Sequence, residues 1–296
     1  MAFQSLGLRT SKAFTAHMSP GKALRIACAI VATLLLAAIL LEARSTVRSN
    51  ALAMPKAGRA FDERVIEIRA DWFDAKTPAV FEFEPSEETR QLAKRHMTLD
   101  GIRPRTWYSY VPKDGVRMPL VILFHGAGRD GLSMIEMWKD TAQRHGVALV
   151  APNSWGATWS LDDLAPQFLA DIASEIAPHD QIDGSQVFLF GHSDGAVYAQ
   201  VLLNRTQGPW LAAATHGGYA PPDHLRPAQT ARPIRMYLGE EDEIFDLDRA
   251  REVAGWFARH GSRTELLVIP DHNHWFYEIG PQVADDAWTW FSSLPD

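Results

Sequence analysis

The chain has 296 residues and 46% apolar content, enough for one large domain or two small ones with a real core. Its formal net charge of -7 argues against a nucleic-acid partner, which selects for a basic patch. The single cysteine, Cys28, excludes an internal disulfide, a cysteine metal cluster and, beyond the first segment, a thiol nucleophile.

The first element in chain order is an uninterrupted apolar and small run over residues 26–41, preceded by Arg9, Lys12, Lys22 and Arg25 with no acidic residue among them. With Ala23 and Leu24 it approaches the ~20 residues of a membrane span. The basic flank belongs on the cytoplasmic side. This predicts a cytoplasmic segment 1–22, a membrane anchor 23–41, a linker 42–60 and an exported domain 61–296. A signal peptide cut near Ala43 is the alternative, giving a secreted product. Val65, Ile66 and Ile68, and then residues 80–83, read as strands. Residues 86–96 carry Glu87 and Glu88 early and Lys94 and Arg95 late, the charge order of a helix.

From Gly101 the pattern is regular. Strands are expected at 106–111, 120–124, 147–150, 187–190, 211–215, 234–238 and 266–269. Helices are expected at 131–145, 161–176, 194–203, 246–259 and 282–291. Such alternation gives an α/β fold with a mostly parallel sheet and helices on both faces. Functional sites in such sheets form at the C-terminal ends of the strands. Only a short Pro-rich connector, Tyr219 to Asp223, opens the stretch between the strands at 211–215 and 234–238, so no large lid is expected and the cleft should be open.

Four of these strand ends carry chemistry. Gly191-His192-Ser193-Asp194-Gly195 is a G-x-S-x-G run between a strand and a helix, a turn that lifts a serine hydroxyl clear of the sheet. His125-Gly126-Ala127-Gly128 can turn a backbone N–H toward a carbonyl oxygen; the N–H groups of Ala127 and Asp194 are the expected oxyanion donors. His125 itself reads as a structural histidine under that loop. Gly239-Glu240-Glu241-Asp242 offers Asp242 as the carboxylate that orients a histidine. Pro270-Asp271-His272-Asn273-His274 offers that histidine. His274 is favoured over His272 by its reach from the strand end. Metal ligation by Asp271, His272 and His274 is the rival reading of this loop, without further ligands to complete it. Trp155 and Trp159 follow another strand end and are candidates to line a substrate pocket, with core packing as the other reading. His216 follows yet another strand and is not assigned a role.

The chain order Ser193, Asp242, His274 with this elbow is the order of the α/β-hydrolases. The sequence resembles the α/β-hydrolase serine esterases, and within them the polyhydroxybutyrate-depolymerase-like and feruloyl-esterase-like group. The likeness runs from about Gly101 to the C-terminus. It is carried by residues 105–112 (RTWYSYVP), 119–126 (PLVILFHG) and 182–193 (IDGSQVFLFGHS), and by the Asp242 and His274 loops. It implies a serine nucleophile, a His274 base, an Asp242 orienter and no metal or organic cofactor. Two departures concern the substrate: Asp194-Gly195-Ala196 stands where the group often has Asn-Gly-Gly, and the cysteine pairs of secreted members are missing. The expected activity is hydrolysis of a small or polymeric carboxylic ester. An acyltransferase or a peptidase would use the same residues, and a non-catalytic binding protein is the alternative outside enzymes.

Overall fold

The computed structural model describes residues 65–75, 81–112, 117–176, 181–227 and 231–295. The expected anchor and linker, residues 23–60, lie outside them. Among the described residues no helix is long and apolar enough to cross a membrane.

Nine strands form one sheet. They are β1 (Val65–Arg69), β2 (Lys94–Asp100), β3 (Arg103–Tyr110), β4 (Met118–Phe124), β5 (Ala148–Pro152), β6 (Ile182–His192), β7 (Trp210–His216), β8 (Ile234–Gly239) and β9 (Thr264–Ile269). Their spatial order is β1-β9-β8-β7-β6-β4-β5-β3-β2. Seven strands run parallel, while β3 is antiparallel to β5 and β2 to β3. Chain progression reverses between β4 and β6. That switch point opens a crevice at the strand C-terminal ends, where ligands bind in open α/β sheets.

The continuous apolar runs of the central strands follow from burial on both faces. Alternate residues of β4 divide between two cores: Leu120, Ile122 and Phe124 face one, Val121 and Leu123 the other. The first core takes its helical side chains from α3 (Pro166–Glu175), α4 (Asp194–Arg205) and α5 (Leu247–Arg259). The second takes them from α2 (Gly131–His145) and α6 (Gly280–Ser292). The helices therefore cover both faces. α2 is bounded as its sequence requires: Asp130 caps its start by accepting from the Ser133 N–H at 3.0 Å, and Gly146 ends it with φ 65°.

Three expectations are corrected. The helix expected over 86–96 is only α1 (Glu87–Leu92), capped by Ser86, and Lys94 opens β2 instead. β2 is an edge strand with one wet face, so its charges mimic a helix terminus. Residues 81–83 pair with no strand; Phe81 and Phe83 pack on Trp275 and Tyr277. The helix expected from Leu161 starts at Pro166. Ser160 and Asp163 bond the backbone of the preceding loop, and Ala165 takes a left-handed φ of 41°. Between β7 and β8 the described residues hold only a 3-10 turn, Pro222–His224, and no lid domain.

Candidate active site

Ser193 stands between β6 and α4 with φ 55° and ψ -122°, a strained conformation for a side-chain-bearing residue. Its neighbours explain how the turn is possible. A Cβ on Gly191 would lie 2.1 Å from the Gly195 carbonyl oxygen, and one on Gly195 would lie 2.2 Å from that of Phe124. Both positions admit glycine alone, and they bring α4 down onto β4 and β6.

The Ser193 hydroxyl donates to His274 Nε2 at 2.9 Å, and His274 Nδ1–H donates to Asp242 Oδ2 at 2.9 Å. Three loops, following β6, β8 and β9, thus supply one hydrogen-bonded chain. The Asp242 side chain is fully shielded from solvent, whereas His274 keeps 19% of its side chain exposed. Burial pushes the Asp242 carboxyl up. The bond and charge of His274 and the N–H groups of Phe245 and Ile244, both at 2.9 Å to Oδ1, outweigh it and hold the group below its ordinary value. The carboxylate is therefore ionised and fixed at both oxygens. Phe245 also stacks on the His274 ring at 5.7 Å. Gly217, with φ 60°, lies close enough that a Cβ would sit 3.2 Å from His274 Nδ1.

The loop after β4 borders the serine. A Cβ on Gly126 would lie 3.3 Å from Ser193 Cβ. Among the described residues, neither the Ala127 N–H nor the Asp194 N–H has an intramolecular acceptor. The rest of the loop is tied down. His125 Nδ1–H donates to the Gly126 carbonyl at 2.8 Å and its Nε2 accepts the Ser154 N–H at 3.0 Å. Gly128 N–H donates to the Ala157 carbonyl at 2.7 Å. Burial lowers the His125 pKa, which fits a neutral ring serving as a strut. The Asp194 carboxylate accepts from the Thr158 hydroxyl and the backbone N–H of Trp159, and burial raises its pKa.

Trp159 corrects the expectation of a pocket residue. It is buried between Phe124 and Tyr198, and its indole N–H donates to the His125 carbonyl at 2.8 Å. A buried indole needs an acceptor, and the loop carbonyl supplies it. Trp155 is 44% exposed and sits 5.5 Å from the Arg105 guanidinium. His272 does not reach Ser193. It is buried and bonds His216, so Asp271, His272 and His274 do not converge on one point. Among the described residues no group of three or more potential ligands is placed to hold a metal.

The sequence did not disclose His192, Thr158 or Phe245 as parts of the site. The Gly217-Gly218 pair after β7 was a visible signal of close approach: a Cβ on Gly218 would lie 2.7 Å from the Ser193 carbonyl oxygen.

No protein-family model matches the chain, and no curated protein matches it by sequence. Solved structures match it in shape. An esterase from the archaeon Pyrobaculum calidifontis superposes with a TM-score of 0.54 at 16% identity, covering 68% of this chain and 85% of its own. An S-formylglutathione hydrolase from Agrobacterium tumefaciens gives 0.52 at 15% identity, covering 68% and 93%. Fluorophosphonate-binding serine hydrolase F from Staphylococcus aureus gives 0.52 at 11% identity, covering 68% and 98%. With these proteins the chain shares the α/β-hydrolase fold.

Proposed function

We propose that the protein is a serine hydrolase of carboxylic esters. The observation that carries this reading is the unbroken chain from Ser193 Oγ through His274 to the buried Asp242, at 2.9 Å for each bond. In the first half-reaction Ser193 Oγ attacks the ester carbonyl carbon while His274 Nε2 takes its proton. Asp242 holds the imidazole in the tautomer that leaves Nε2 free, then stabilises the imidazolium. The Ala127 and Asp194 N–H groups receive the oxyanion of the tetrahedral intermediate, each worth roughly 3 kcal/mol at the transition state. The C–O bond to the alcohol breaks as His274 returns the proton to the leaving oxygen. Water, deprotonated by His274, then releases the acid and restores Ser193.

The partly exposed His274, the exposed Trp155 and the absence of a lid among the described residues favour an ester with a bulky or extended acid or alcohol. This matches the resemblance of residues 105–112, 119–126 and 182–193 to polyhydroxybutyrate-depolymerase-like and feruloyl-esterase-like sequences. The proposed setting is a membrane-tethered, exported enzyme, from the basic flank and apolar run before residue 42. Fractionation of the full chain tests that setting.

The decisive experiment is Ser193→Ala against p-nitrophenyl, feruloyl and oligomeric hydroxyalkanoate esters. The variant should stay folded, lose fluorophosphonate labelling and lose turnover to the detection limit. Unchanged turnover in a folded Ser193→Ala protein sinks the assignment. Added alcohols that divert the acyl-enzyme efficiently from water would instead favour acyl transfer.

A further inference from the structure

Beneath the serine and its base lies a second chain of side chains that the reaction does not use. His192 Nδ1 and His216 Nδ1 are 3.1 Å apart, and His216 Nε2 and His272 Nε2 are 2.9 Å apart. All three rings are buried, with His216 fully so. Each contact is an N–H···N bond and needs one proton between two nitrogens. One proton per ring satisfies both bonds, in either of two directions along the chain. Burial lowers all three pKa values, consistent with three neutral rings.

The placement of these rings gives the chain its meaning. His192 immediately precedes Ser193. His272 stands two residues before His274 on the loop after β9. His216 ends β7 and joins them. Its carbonyl also accepts the Ser193 N–H at 2.9 Å, and the Gly217-Gly218 pair that follows it packs against His274 and Ser193 respectively. The His192 ring lies 5.2 Å from the His274 ring, and Phe276 closes the far side, stacked on His192 at 4.7 Å. The nucleophile and base come from loops 81 residues apart in sequence. The imidazole chain is a side-chain link between those two loops.

We propose that His216 is a positioning residue, which through its bonds to His192 and His272 sets the separation of Ser193 and His274. The proposal rests on the serine-hydrolase reading above. Misplacement by an ångström costs a reaction of this kind up to about 100-fold in rate. His216→Phe keeps a flat aromatic ring, one ring atom larger, and removes both bonds. It should lower kcat about 10- to 100-fold and slow fluorophosphonate labelling in step, with KM little changed. His216→Gln keeps a bonding group toward His272 and should recover part of the loss. A mere packing role predicts the opposite order, with Phe tolerated and Gln poor.

Where His216→Phe does not fold, His272→Phe cuts the His216–His272 bond alone and should show a kcat loss in the same direction, with KM little changed. Imidazole nitrogen NMR on the unaltered protein supplies a second readout: three neutral rings and two N–H protons shielded from solvent exchange. A folded His216→Phe protein with native kcat, or freely exchanging imidazole protons in the unaltered protein, overturns the proposal. If the unaltered protein hydrolyses no ester and takes no fluorophosphonate, the enzymatic reading fails together with the positioning role. The NMR signature would then survive as evidence of the chain alone.

Discussion

Asp242 illustrates how one buried charge is made tolerable and useful. Its two oxygens are shared between His274 on one side and two backbone N–H groups on the other. Asp242→Asn keeps the shape but turns an acceptor into a donor at Oδ2. The imidazole then flips tautomer and presents a proton, not a lone pair, to Ser193. We expect kcat to fall by about 10^4-fold while the fold is kept. Steady-state kinetics beside a circular dichroism spectrum checks this, and a loss under tenfold would count against the assigned orienter. At this scale the sequence was readable where the chemistry is local. The glycines around Ser193, and the places of Asp242 and His274 just past strand ends, pointed to the three side chains that the fold brings into one hydrogen-bonded chain. Trp159 was not readable, because whether an indole lines a cleft or props a loop depends on which carbonyl its N–H meets. The imidazole chain was invisible for a similar reason: its members are 24 and 56 residues apart, and the pairing of β6 with β7 and the loop that follows β9, two strands away, bring them together.

The elbow is the element through which the sheet presents Ser193, the proposed nucleophile. Its geometry depends on α4 starting in contact with the end of β4. Gly195→Ala would force a methyl group against the Phe124 carbonyl oxygen at 2.2 Å and the His125 carbonyl oxygen at 2.7 Å. Backbone cannot swing aside as a side chain can, so helix and strand must part. We expect a loss of at least about 1–3 kcal/mol in urea unfolding. Activity should fall further than stability, because the displaced carbonyls belong to the loop that holds the Ala127 N–H. A Gly195→Ala protein with native midpoint and native kcat would contradict this packing. The same contrast governs how elements were read from sequence. The buried strands β4 to β9 carry unbroken apolar runs that suit only one environment. β2 does not. Lys94, Arg95, Met97 and Leu99 are all exposed on an edge strand, so neither period nor burial marks it, and its pairing with β3 is a tertiary decision. The parallel pairing of β1 with β9 likewise joins residues about 200 apart, which local pattern does not encode.

Charge is distributed unevenly over the whole molecule. Residues 1–64 hold nine Lys and Arg against three Asp and Glu, so the rest of the chain is more acidic than the net charge of -7 conveys. An acidic surface alone makes folding easier to maintain as pH falls, because protonation relieves repulsion. The buried groups act the other way. The His272 pKa falls from 6.5 to about 4, chiefly through burial, and His192 and His216 are lowered in the same direction. In the unfolded chain these rings take up protons near pH 6.5, while in the folded protein they do not. The unfolded state therefore binds more protons in that window, and stability declines as pH falls through it. For His272 the full contribution is present above pH 6.5 and gone below about 4, about 3 kcal/mol by the size of that shift. Asp242, with its pKa below 3.8, adds its own loss only at still lower pH. The two effects compete, and the buried term should prevail, since exposed charges are screened by salt and these rings are not. Thermal unfolding at constant ionic strength should show a midpoint falling by about 6–12 °C between pH 6.5 and 4. His272→Gln, which does not titrate, should flatten that decline whatever it does to the midpoint at pH 7. A midpoint that holds steady or rises over this range would mean that surface repulsion outweighs the buried imidazoles.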